Sequence, residues 1–320
     1  MVKIYKTEKL IRVVFLGTPD FAVNSLEKLA TSKFKPILVI TQPDKPKGRK
    51  QKLQPTPVKI SSIKHGLPVL QPSNINSESV LEKIRVLNPD ILITVAYGGF
   101  LGKSLRKLAP MGCINLHPSL LPELRGASPL QSTLFLNKIK SGITIFKIVA
   151  KMDAGPIINQ IEFDVPKEMN YSEYSDFVAE KGAEFLLQTL ESIEKQGFEL
   201  IPQDHNHASY TQKIEKSFLT ITWNSPSTSI IGKIRGLSYQ PGARTIRNNK
   251  ILQILRAKHY SSDSSHVPGT ITHIIKNEGF VVACQDGEIL ITEVKPQGKN
   301  VMSAHAYKLG AKLKPYEKLG

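Results

Sequence analysis

RVVFLGTPDFAVNSLEKLA, residues 12–30, decides the fold. Val13, Val14, Phe15 and Leu16 form a short unbroken apolar run, the mark of a strand covered on both faces. After Gly17 the stretch continues as DFAVNSLEKLA, with apolar residues at three-and-four spacing. That spacing predicts an amphipathic helix, with Thr18 as its cap and Pro19 as its first position. A first strand that delivers directly onto a helix N-terminus is the opening of a doubly wound α/β sheet.

The same alternation recurs outward from this stretch. PILVIT, DILITVAYG, GCINLH and GITIFKIV are strand candidates, and SESVLEKIRVLN and PLQSTLFLNK lie between them as helix candidates. Thr56 and Pro57 repeat the cap device, and YSEYSDFVAEKGAEFLLQTLESIEKQ from residue 171 predicts a closing helix. FELIPQDHNHASY then has the polar, irregular texture of a linker. Past residue 214 the pattern changes to ILQILRA, GTITHII, GFVVACQ and EILITEV, separated by turn signals such as Pro-Gly and Asp-Gly. The expected architecture is a mostly parallel doubly wound domain over residues 1–205 and a small C-terminal β-barrel or sandwich over 206–320. Only one glycine follows the first strand where a dinucleotide fingerprint needs three, and no phosphate-loop Gly-Lys pair follows, so NAD and ATP are not expected.

Composition fits a folded protein rather than a disordered one, with 40% hydrophobic and 22% charged residues in 320. Cys113 and Cys284 lie far apart inside apolar runs, which speaks against a disulfide framework or a zinc site and for a reducing cytoplasm. The N-terminal apolar run is too short for a signal peptide or a membrane span, and the lack of a heptad or self-pairing segment favours a monomer. The formal charge is +16, and residues 207–320 carry 16 Lys plus Arg against 7 Asp plus Glu. Such a balance favours a polyanionic partner, nucleic acid above all.

GCINLHPSLLPELRGASP, residues 112–129, holds the chemistry. Residues two apart on a strand share a face, so Asn115 and His117 project together, at the strand end where open α/β sheets place their sites. Asp153, in AKMDAGPI past the next strand, is placed to join them. An amide donor, an imidazole and a carboxylate suit acyl transfer, and the absence of a nucleophile motif favours direct transfer over a covalent intermediate.

NLHPSLLPELRG followed by MDAGPI resembles the folate-dependent formyltransferases, and GTPDFA with TQPDKPKGRKQKLQPTPVK resembles their tRNA-directed branch. The likeness covers nearly the whole chain. It implies transfer of a formyl group from 10-formyltetrahydrofolate, without a metal, to the α-amino group of methionyl initiator tRNA. It implies an OB-like C-terminal barrel that, with its positive charge, helps to cradle the tRNA. By the same resemblance Asn115, His117 and Asp153 are the catalytic trio. Ser119, Leu120, Leu121 and Pro122 bind folate, and AYG at 96–98 lies on the strand lining the pterin pocket. The basic loop KPKGRKQK, with Lys45, Lys47, Arg49, Lys50 and Lys52, grips the acceptor stem, Arg49 being the key residue. A formyltransferase for a small amine and a non-catalytic RNA-binding relative are the alternatives.

Overall fold

The computed structural model describes residues 10–47 and 52–320. The chain forms two compact units, Met1–Gly126, Ser141–Phe163 and Ser175–Tyr210 in one, and Ala127–Lys140, Asp164–Tyr174 and Thr211–Gly320 in the other.

Seven strands build the sheet of the first unit. Their order is Ile157–Asp164, Lys140–Lys147, Cys113–His117, Ile91–Val95, Val13–Gly17, Leu38–Ile40 and Val69–Leu70. Every pair from Cys113–His117 to Val69–Leu70 is parallel, whereas Lys140–Lys147 runs antiparallel to Cys113–His117. The mostly parallel sheet expected from residues 12–30 is thus present. Val14, Leu16, Leu92 and Cys113 share one buried cluster with Val80, Leu81 and Ile84 of the helix Glu78–Val86. On the strand Cys113–His117 the alternate residue Leu116 meets Gly182 of the long helix Tyr171–Gln196, whose Cβ would lie 3.2 Å from a Leu116 methyl. That helix covers the residues predicted to close the domain.

Helix starts follow the sequence at one place and depart from it at another. Thr56 Oγ1 accepts the Lys59 N–H at 3.1 Å, and Pro57 opens the helix Pro57–Lys64 as expected. Thr18 does not cap. Its hydroxyl donates to the Tyr97 carbonyl at 2.8 Å, and a 3₁₀ turn, Asp20–Ala22, precedes the α-helix Val23–Ala30. The neighbouring strand's exit loop supplies an acceptor that wins the hydroxyl from the helix. AYG is likewise not on a strand: Ile91–Val95 ends one residue earlier, and Ala96 and Gly98 turn the chain at φ +47° and +77°.

In the second unit an antiparallel sheet runs in the order Ala243–Arg247, Lys250–Ser261, Gly287–Pro296, Gly279–Cys284, Ile271–Ile275, with Met302–Ser303 also paired to Gly287–Pro296. Register shifts at 254/256, 256/257 and 259/261 bend the twelve-residue strand Lys250–Ser261. Its inward residues Leu252 and Ile254 meet Ile271, Phe280, Val282, Ile289 and Ile291 in a single core. The helix Ser227–Leu237 lies against Pro129–Phe135, close enough that a Cβ on Gly236 would stand 2.4 Å from the Phe135 ring.

Candidate active site

Asn115 and His117 project from the strand Cys113–His117 near the end where the parallel strands stop. Thr94, three per cent exposed on the adjacent strand, donates its hydroxyl to Asn115 Oδ1 at 2.7 Å, with the Ile114 carbonyl a second acceptor at 3.1 Å. Occupying the amide oxygen leaves Nδ2 as the end of Asn115 available to a substrate. Cys113, on the same face two residues back, is fully buried, and burial pushes its thiol up to about 12. It is inert as a nucleophile at neutral pH.

His117 is also buried. Its Nε2 lies 3.0 Å from the Leu124 carbonyl, and since a carbonyl only accepts, Nε2 carries the hydrogen. The neutral ring therefore presents Nδ1 as its lone-pair nitrogen. Nδ1 stands 3.8 Å from Asp153 Oδ2, and Phe146 meets the ring edge-to-face with centroids 6.3 Å apart. Burial lowers the His117 pKa and prevails over Asp153 and the Leu124 carbonyl, which pull it upward.

Asp153 reaches this point by a turn. Because Lys140–Lys147 runs antiparallel, its end lies opposite Ile114, whereas Thr144 is the residue opposite His117. Residues 148–153 carry the chain back to the imidazole. Asp153 sits at φ +48°, and its Oδ2 accepts the Gly126 N–H at 2.8 Å. The turn is tight: a Cβ on Gly155 would fall 1.7 Å from the Lys147 carbonyl oxygen.

The segment 119–122 follows His117 directly and is held by two residues that the sequence did not disclose. Thr144 Oγ1 donates to the Ser119 carbonyl at 2.7 Å and accepts the Leu121 N–H at 3.1 Å. Gln160 Nε2 donates to Thr144 Oγ1 at 2.7 Å and to the Leu121 carbonyl at 3.1 Å. Ser119 turns its hydroxyl back onto the Glu123 carbonyl at 2.6 Å, and Leu121 is buried. Leu120 packs toward the sheet, where its side chain closes on Gly142. Ser119, Leu120, Leu121 and Pro122 thus form a wall with a fixed backbone beside the trio.

The basic stretch is a hairpin rather than a plain loop. Lys45–Lys47 pairs antiparallel with Lys52–Gln54, Lys47 opposite Lys52. The side chains of Lys45 and Lys52 are exposed. At its base Asp44 accepts from Lys59 Nζ at 2.6 Å and from Gln71 Nε2 at 2.6 Å. Arg49 and Lys50, between these two strands in sequence, lie outside the described residues.

What stands behind Asp153 has no signature in the local sequence. Arg125 is fully buried, with Nη2 and Nε at 2.5 and 3.2 Å from Gln203 Oε1 and Nη2 at 2.9 Å from His205 Nδ1. Gln203 lies in the segment whose texture suggested a linker. A cavity of about 730 Å³ elsewhere in this unit is lined by Asn24, Glu27, Lys64, His65, Lys181 and Glu184 among others, but by none of the trio. Among the described residues, no group of three or more His, Cys, Asp or Glu is arranged to hold a metal ion, and no helix is long and apolar enough to cross a membrane.

Residues 11–190 match the model of a family described as formyl transferase, and residues 213–312 match its C-terminal domain. A methionyl-tRNA formyltransferase of Moorella thermoacetica is 39% identical over 310 residues, 97% of this chain and 99% of that protein. The protein of that name in Bacillus subtilis is 36% identical over 312 residues, 97% of this chain and 98% of its own. Among solved structures, a methionyl-tRNA formyltransferase from Clostridium thermocellum superposes with a TM-score of 0.55 at 15% identity, covering 88% of this chain and 99% of that one, a likeness of fold.

Proposed function

The chain belongs to the formyl transferase family, and on that premise we propose that it transfers a formyl group from 10-formyltetrahydrofolate to the α-amino group of methionyl initiator tRNA. The observation that carries the chemistry is the convergence of an oriented amide, a buried neutral imidazole and a carboxylate at one strand end.

10-Formyltetrahydrofolate supplies the formyl group. The residues present suit such a donor: the irregular backbone of 96–99 offers polar groups to a flat heterocycle, and the fixed backbone of 119–122 gives it a wall of set shape, flanked by the buried side chains of Tyr97 and Leu121. The methionyl amine attacks the formyl carbon, the bond from that carbon to the folate nitrogen breaks, and the proton shed by the amine passes to that nitrogen. Asn115 Nδ2 donates to the formyl oxygen as negative charge develops there. His117 takes the proton on Nδ1 and returns it, while Nε2 stays on the Leu124 carbonyl. Asp153, 3.8 Å away, stabilises the imidazolium formed on the way. With Cys113 inert, transfer is direct.

In this reading residues 1–205 carry catalysis and 206–320 add positive charge for the tRNA. Ser119, Leu120, Leu121 and Pro122 line the folate site. Lys45, Lys47, Arg49, Lys50 and Lys52 hold the acceptor stem, phosphates by charge and sugar or base edges by the forked guanidinium. The protein acts as a cytoplasmic monomer. The deciding experiment is transfer of labelled formyl from 10-formyltetrahydrofolate to methionyl initiator tRNA, by wild type and by Asp153→Ala. Transfer by wild type that is lost in the variant supports both reaction and site; a folded wild type that transfers nothing to this acceptor refutes the reaction.

A further inference from the structure

Gln203 is fifty residues from Asp153 in sequence, yet its side-chain amide holds that residue's backbone. Nε2 donates to the Asp153 carbonyl at 2.9 Å and to the Gly155 carbonyl at 2.6 Å, so both amide hydrogens are committed to the turn. The other end of the amide is equally committed. Arg125 directs Nη2 and Nε onto Oε1 at 2.5 and 3.2 Å, and a guanidinium can only donate. The amide therefore has one orientation: oxygen to Arg125, nitrogen to the Asp153 turn. Both residues are buried, Arg125 at 0% and Gln203 at 6% exposure, where an amide turned the other way would set N–H against N–H.

Asp153 needs such a hold. A non-glycine residue at positive φ keeps that conformation best where its surroundings impose it. Gln203 fixes its carbonyl, and the N–H of Gly126, the residue after Arg125, fixes its carboxylate at 2.8 Å. Arg125 is itself tied down, its own N–H donating to the Ser209 carbonyl at 2.9 Å. Main chain and side chain of Asp153 are thus gripped from one buried centre.

We propose that Gln203, oriented by Arg125, is a positioning residue that sets the Asp153 carboxylate against His117 for proton transfer. The assignment rests on the formyl-transfer reading above. Gln203 touches no substrate; it acts through Asp153, and a displacement of the carboxylate by about 1 Å is enough to cost on the order of a hundredfold in rate.

Gln203→Glu separates the two ends of the amide, since a carboxylate keeps Arg125 paired and loses both donors to the turn. Expected for this variant is a fall of at least tenfold in kcat with the donor KM within twofold of wild type. The decisive arm is a double-mutant cycle. In an Asp153→Asn background, Gln203→Glu should cost less than twofold, because the group it positions is already disabled. A general folding defect would instead cost the same factor in both backgrounds, and that result overturns the assignment. Arg125→Lys, which keeps the charge and loses the fork, provides a second route with the same expected pattern. Amide exchange at Gly126 gives a readout independent of turnover: it should quicken at least tenfold in folded Gln203→Glu, and unchanged exchange counts against the proposal. Wild-type transfer with Gln203→Glu fully active overturns this assignment alone, whereas a folded wild type without transfer overturns the reaction and this assignment with it.

Discussion

The Thr94 hydroxyl lies 2.7 Å from Asn115 Oδ1, and this bond decides which end of the amide meets the reacting carbonyl. Asn115 has one acceptor end and one donor end of nearly equal shape. Only the donor end can stabilise negative charge on a formyl oxygen. Thr94→Val keeps the shape and removes the hydroxyl, so the amide is free to present either end. Turnover should fall about tenfold, corresponding to roughly 1.4 kcal/mol of barrier, with the donor KM changed less than twofold. Steady-state formyl transfer measures both; an unchanged kcat would mean that the amide is oriented by something else.

The pH dependence of stability follows from the burial of His117. Burial lowers its pKa in the folded state, whereas in the unfolded chain a histidine titrates at about 6.5. As pH falls through about 6.5 the unfolded state binds the proton first, so the contribution of His117 to stability, fully present above that pH, is progressively lost. The loss levels off below the folded value, where both states are protonated. His117→Gln removes this dependence. Urea unfolding at pH 7.5 and 5.5 should show wild type losing more stability than the variant over that interval. Equal losses would contradict the direction assigned here.

The part of this site that was visible in the sequence is the part set by short-range periodicity. A strand has period two, so Asn115 and His117 had to share a face, and the polar pair on an apolar strand marked itself. Strand direction carries no such signature. GITIFKIV has the same apolar pattern whichever way it runs, and its antiparallel setting, with the return of the chain to bring Asp153 back, came from the fold. Thr18 failed as a cap for a related reason: its competitor, the Tyr97 carbonyl, is 79 residues away. Gln203, Thr144 and Gln160 are ordinary polar residues whose roles exist only through partners distant in sequence. In the C-terminal unit, turn signals and short apolar runs announced strands, while their pairing order was set by the shared core.

Thr144 joins the wall at 119–122 to the sheet. Its buried hydroxyl gives its hydrogen to the Ser119 carbonyl and receives from Leu121 N–H and from Gln160 Nε2. Thr144→Val leaves the buried Ser119 carbonyl and Leu121 N–H without this partner, at about 1–3 kcal/mol. The expected result is a loss of stability of that order and a rise of about tenfold in the KM for 10-formyltetrahydrofolate, with kcat less affected because the trio itself is intact. Denaturant melts and donor titrations test the two effects separately. Lost stability with an unaltered KM would confine Thr144 to folding and remove 119–122 from the donor site.

Lys45 and Lys52 carry exposed side chains on two paired strands, with Arg49 and Lys50 between them in sequence. A lysine that neutralises a phosphate releases a counterion, and each such contact adds about one unit to the slope of log affinity against log salt. The double variant Lys45→Ala, Lys52→Ala should bind methionyl initiator tRNA more weakly at low salt, with its salt slope shallower by about two. Its KM for the folate donor should remain within twofold of wild type, since the donor lies beside 119–122 in the proposed site. Filter binding across a salt series reads the slope, and formyl transfer at saturating tRNA serves as control. Because the substitution takes charge from the paired strands while leaving Arg49 and Lys50 in the sequence, an unaltered slope would exclude Lys45 and Lys52 from the phosphate contacts.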